Sequence, residues 1–182
     1  MPPEPDLDTE SIRQLDPGVT GYTEALPSAD PESIRMYLAF IRANEVLNSR
    51  QGNRNAYGIP RPQYTLVRLL FFAEGNIMAQ SDIARAMAVT PTYVTRLIDA
   101  LEERGWVDRC INAENRRVTY ARLTDLGRTA CEEIVPKAAE FMMISTQYFD
   151  EKEKRTMQYL LSKLARGISA AQAAQSDADG LE

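Results

Sequence analysis

The 182 residues, 44% hydrophobic and 26% charged with a formal net charge of −5, have the composition of an ordinary globular chain long enough to bury one core without disulfide or metal staples. The chain has no histidine, which excludes Ser-His-Asp and Cys-His catalysis and every zinc site that needs an imidazole, and its two cysteines, Cys110 and Cys131, cannot complete a four-ligand zinc site alone. The opening MPPEPDLDTE has neither the basic nor the apolar region of a secretory signal, and the longest apolar stretch, residues 66–73, is interrupted by Arg68 and too short for a bilayer, so a cytoplasmic protein without a membrane partner is expected.

The charge is unevenly spread. Residues 1–30 carry a net −6, residues 31–79 a net +3, residues 80–123 a net +1 and residues 124–182 a net −3. All four lysines lie at or after position 137, so every basic group before it is an arginine. Arginine presents the planar fork that matches phosphate and guanine.

Residues 1–29 hold five of the ten prolines and no helical periodicity, which reads as a loose acidic extension. Asp30-Pro31 is an N-cap followed by proline at the first helical position. Ile34, Tyr37, Leu38 and Ile41 then repeat at helical spacing, and this first helix should fade near residues 49–52, with a Gly- and Pro-rich loop to residue 62. A second helix spans about residues 63–73.

Residues 80–87 (QSDIARAM) form a short helix, Ala88-Val89 a tight connection, and Thr90-Pro91 opens a longer helix that stops at Gly105. Its inward residues are Val94, Leu97, Ile98 and Leu101; Thr92, Tyr93, Thr95 and Arg96 point outward near its start, with Asp99 a turn later. This is the layout of a helix-turn-helix, whose second helix offers its N-terminal residues to base edges. Residues 106–111 and 116–123 read as two strands around a turn-rich tip, Asn112-Ala113-Glu114-Asn115. A hairpin straight after a recognition helix is a wing, and Arg109, Arg116, Arg117 and Arg122 lie on it. Arginine at such a tip suits the narrow, strongly negative minor groove.

A further helix begins at Thr124 and runs toward Thr146, with Pro136 expected to kink or split it. The last helix begins at Asp150 with Glu153 as its capping box, and Met157, Leu160, Leu161, Leu164 and Ile168 form one apolar stripe. Residues 170–182 read as a small-residue, acidic, frayed tail. The fold class is mainly α: a winged helix-turn-helix with a two-stranded β-wing, plus N- and C-terminal helices for dimerisation. The parts are an acidic extension (1–29), a dimerisation helix and loop (30–62), the DNA-binding region (63–123), dimerisation helices (124–169) and the tail (170–182).

QSDIARAMAVTPTYVTRLIDALEERGWVDR and NRRVTYARLTDLGR resemble the helix-turn-helix and wing of the multiple-antibiotic-resistance-regulator (MarR) family of winged-helix repressors. Leu101-Glu102 to Gly105 is similar to the family's exit into the wing, Arg117 to its wing arginine, and Leu123-Thr124-Asp125-Leu126-Gly127 to its wing ending. Asn115 stands where the family has a wing aspartate, and Ala79 where it often has a helix-capping Thr or Ser. The resemblance implies a homodimer joined through the first and last helices and a cleft for a small, often aromatic, ligand. Candidates for that cleft are Tyr37, Phe40, Ile41, Tyr64, Phe72, Phe141 and Met142, with Arg42 and Arg68 as anion partners.

The reading is a sequence-specific, double-stranded-DNA-binding regulator that acts as a homodimeric repressor and is released by an aromatic, anionic effector. DNA contacts are expected from Thr92, Tyr93, Thr95, Arg96, Arg109, Arg116 and Arg117. No cofactor, metal or catalytic residue is expected. The adjacent pairs Glu102-Glu103 and Glu132-Glu133 point to different helix faces, and no Gly-rich phosphate loop or dinucleotide fingerprint is present, so the chain is not read as an enzyme. The alternatives are a winged helix used only for protein contacts, or a regulator of the same fold that senses oxidants through Cys110 or Cys131; both cysteines are read as inert.

Overall fold

A computed structural model describes residues 15–51, 58–111 and 118–179. The chain divides into two compact units, residues 1–137 and 138–182.

In the first unit a helix lies within residues 1–29, where no helical periodicity is read from the sequence. α1 (Asp16–Ala25) has proline in its first turn, buries Val19 and pairs its Asp16 with Arg35 of α2 (Pro31–Gln51). Its two glycines lower helix propensity, so tertiary packing must sustain it. Gly18 is one of these contacts: a Cβ there would lie 3.1 Å from Leu38 Cδ1. α2 starts as its cap predicts. The Asp30 carboxylate accepts the Ser33 hydroxyl at 2.6 Å and the Ser33 N–H at 2.9 Å, and these bonds hold its pKa below the usual carboxylate range.

α3 (Arg61–Phe72), α4 (Gln80–Met87) and α5 (Pro91–Glu102) enclose the core. Leu66, Val67 and Leu70 of α3, Ile83 of α4, Val94, Ile98 and Leu101 of α5 and Val107 are all fully buried. α3 ends where Asn76, at φ 55°, donates its side-chain N–H groups to the carbonyls of Leu70 and Phe71. The α4–α5 connection turns through Ala88 at φ 53°, a left-handed conformation that glycine adopts more cheaply.

The sheet has three strands rather than the expected two. β2 (Val107–Ile111) and β3 (Thr119–Leu123) form the hairpin, and β1 (Ile77–Ala79), just before α4, pairs antiparallel with β3 in the order β1-β3-β2. Three residues are too few to show a period of two, and their pairing, Ile77 opposite Arg122 and Ala79 opposite Tyr120, is set by tertiary structure.

α6 (Asp125–Ser145) follows β3 at a tight corner. The Thr124 N–H donates to the Trp106 carbonyl at 3.0 Å, its hydroxyl donates to the Gly105 carbonyl at 2.7 Å, and the Gly127 N–H donates to that hydroxyl at 3.0 Å. At Gly127 an added Cβ would lie 2.1 Å from the Trp106 carbonyl oxygen. The Leu-Thr-Xaa-Xaa-Gly run therefore has a physical reason: threonine caps the helix and ties it to the recognition-helix exit, and glycine admits the backbone crossing. The expected split at Pro136 does not occur, because α6 is one helix through that position.

In the second unit, α7 (Glu151–Asp179) begins with the expected capping box. Asp150 accepts the Glu153 N–H at 2.8 Å, and Glu153 accepts the Asp150 N–H at 2.8 Å. The helix continues to Asp179 instead of fraying at 170, carried by its alanines.

Two substitutions separate these local constraints. Gly127→Ala forces backbone apart and should lower the free energy of unfolding by about 3 kcal/mol. Ala88→Gly removes a left-handed penalty at some cost in unfolded-chain entropy, and should raise it by about 0.5 kcal/mol. Urea unfolding of both variants checks the opposite signs.

Candidate nucleic-acid interface

The start of α5 is held by its own sequence. Pro91 sets the first helical φ, and the Thr90 hydroxyl accepts the Tyr93 N–H at 3.3 Å. Burial of Val94, Leu97, Ile98 and Leu101 fixes which face turns outward. Thr92, Tyr93, Thr95 and Arg96 are all exposed on that face. The Thr95 hydroxyl donates to the Pro91 carbonyl at 3.1 Å, which leaves its lone pairs to accept from a base or backbone donor. Arg96 makes no ion pair or hydrogen bond among the described residues, so its five donors are available.

Arg109 is placed differently from the candidates on α5. It lies on β2 next to α5 and is bound there by the carboxylates of Asp99 and Glu102. Arg116, Arg117 and Asn115 lie outside the described residues. The strands that carry the tip are in register, with Asp108 opposite Arg122 and Cys110 opposite Tyr120.

Three further features were not singled out from the sequence. Arg104 lies over the Trp106 ring at 5.8 Å and donates to the Gly58 carbonyl at 3.4 Å, which anchors the end of α5. Arg85 is exposed on α4 in an i,i+3 pair with Asp82 at 3.0 Å. The pairing of Glu102 with Arg109 crosses from helix to strand, so no helical spacing announces it.

The ligand candidates fall in both units. In the first, Tyr37 and Phe40 meet on α2 with ring centroids 6.3 Å apart, Ile41 and Arg68 are half-buried, and Arg42 is exposed. Tyr64 is buried, whereas Phe72 is 65% exposed and packs edge-on against Phe71. Phe141 and Met142 belong to the second unit and are exposed there. Among the described residues no three His, Cys, Asp or Glu side chains converge as metal ligands, and no helix is long and apolar enough to cross a membrane.

Comparison with known proteins agrees with this geometry. The MarR family model matches residues 59–119, which hold α3, the helix-turn-helix and most of the hairpin. The chain is 30% identical over 112 residues to the uncharacterized HTH-type transcriptional regulator YdgJ of Bacillus subtilis, covering 62% of this chain and 67% of that protein. It has the fold of Sco3205, a MarR-family transcriptional regulator from Streptomyces coelicolor solved in complex with DNA, with a TM-score of 0.70 and 21% identity over 76% of this chain and 89% of that one. NadR, solved in complex with 4-hydroxyphenylacetate, matches with a TM-score of 0.59 and 24% identity over 71% of this chain and 92% of that one. The buried stripe of α5, the three-stranded sheet and the Thr124–Gly127 corner thus belong to a winged-helix DNA-binding protein, and the chain is a member of the MarR family of transcriptional regulators, not an enzyme.

Proposed function

We propose that the chain is a repressor that binds a pseudo-palindromic operator as a homodimer and leaves it when a small aromatic acid binds. The observation that carries this reading is the apolar surface left uncovered on the helices outside the winged region. Met36 and Tyr37 are exposed on α2 in the first unit. In the second unit Met143 is 73% exposed, and Ile144, Met157, Tyr159, Leu160 and Leu161 are exposed as well. Surface of this kind on two flanking regions fits a symmetric interface with a second copy. Residues 30–62 and 124–169 are accordingly assigned to dimerisation, and residues 63–123 to DNA.

In this reading Thr92, Tyr93, Thr95 and Arg96 enter the major groove. Arg116 and Arg117 reach the minor groove, and the two recognition helices sit about 10 bp apart. Occupancy of the operator blocks transcription. The effector class follows from charge and from likeness. Residues 31–79 carry a net +3, Arg42 lies on α2 and Arg68 on α3, and the NadR ligand, 4-hydroxyphenylacetate, is itself an aromatic acid. By linkage, an effector that weakens operator binding must itself be weakened by operator to the same factor.

The redox alternative is disfavoured at Cys131. Its side chain is fully buried on α6, with its thiol 3.9 Å from the Val67 carbonyl, and burial pushes its pKa up to about 11. The thiolate is the reactive form, so below that pH the residue stays a thiol.

Arg96→Ala should weaken operator binding by about 1–3 kcal/mol and relax specificity at one base pair, as measured by fluorescence anisotropy on single-base operator variants. Titration of a panel of aromatic acids, with and without operator, should show the same fold-change in both directions, about 5- to 150-fold. An acid whose affinity ignores the operator removes the regulatory role. Maleimide labelling of the native chain at pH 8 should leave Cys131 unmodified, and unfolding in urea should expose it to the reagent.

A further inference from the structure

Among the described candidate DNA contacts, Arg109 alone has a guanidinium already engaged within the protein. One terminal nitrogen donates to the Glu102 carboxylate, and the other donates to the Asp99 carboxylate and, at 3.2 Å, to the Thr95 carbonyl. Its backbone N–H donates to the second Glu102 oxygen at 3.0 Å. The three acceptor residues, 95, 99 and 102, lie at i, i+4 and i+7, a single stripe down two turns of α5. Neither carboxylate has another cationic partner among the described residues. The Arg109 side chain is 30% exposed, so this pairing is partly shielded from solvent.

We propose that Arg109 is a positioning residue, not a DNA contact: it clamps β2 onto the recognition helix and so fixes how the wing stands relative to the major-groove residues. The proposal rests on the reading of α5 and the hairpin as the two DNA-contacting elements. A hairpin has little rigidity of its own, and a small rotation at its root displaces its tip. Fixing that root before DNA arrives removes ordering cost from the binding step. The clamp also neutralises Asp99, which lies one turn after Arg96 and half exposes its carboxylate on a surface that must approach phosphate. A planar fork is needed to reach three acceptors at once, and lysine, a point charge, cannot reproduce it.

The experiment uses the full chain and an operator duplex selected by it, with affinity measured at several salt concentrations and melting temperature recorded alongside. Arg109→Lys should weaken binding by about tenfold with the slope of log K against log salt unchanged. Arg109→Gln combined with Glu102→Gln should bind no worse than Arg109→Gln alone, because both remove one interaction. Wild-type affinity in Arg109→Lys, or a slope shallower by about 1 per subunit in Arg109→Gln, makes Arg109 a phosphate contact and overturns the proposal. If Arg109→Gln does not fold, the lysine variant decides alone. A wild-type chain that selects no duplex fails the underlying reading, and with it the clamp, before any variant is compared.

Discussion

The winged region depends on one backbone crossing. Where α6 begins, its main chain passes so close to the Trp106 carbonyl that Gly127 has no room for a side chain. Thr124 bonds to both Gly105 and Trp106 at the same point. The end of the recognition helix, the root of the wing and the start of α6 are therefore one corner, with Gly105 at φ 70° allowing the chain to turn into it. A displacement of the first turns of α6 cannot leave α5 behind. Such a corner is the kind of rigid coupling a ligand needs if binding outside the DNA-contacting surface is to change DNA affinity.

Electrostatics act on a smaller scale than net charge. An acidic chain that binds DNA needs only a local surface with available cations, because fields from distant groups are screened beyond about 10 Å at moderate salt. Within the winged region, Asp99 and Glu102 are matched by Arg109 and Asp82 by Arg85, while Arg96 has no ion-pair partner among the described residues.

Much of this was legible in the sequence, for identifiable reasons. The α5 stripe, its Thr-Pro start and the Asp150–Glu153 box are local codes, and the structure contains each of them. The features that sequence reading missed rest on distant contacts or on exceptions. α1 exists because Val19, Gly18 and Asp16 find α2, and β1 exists because β3 lies beside it. Pro136 does not split its helix, and the alanine-rich tail stays helical to Asp179. At the interface, the exposed positions of α5 follow from periodicity, whereas the occupation of Arg109 follows from the approach of a strand to a helix.

The proposed activity is sequence-specific recognition of duplex DNA by two copies of α5 and its wing. Selection of binding sites from a random duplex library, followed by footprinting of the winner, tests it most directly. The expected result is enrichment of a pseudo-palindrome with half-sites about 10 bp apart, with major-groove protection at each half-site and minor-groove protection flanking them. A library that emerges unenriched, or a footprint confined to a single half-site at saturating protein, would contradict it.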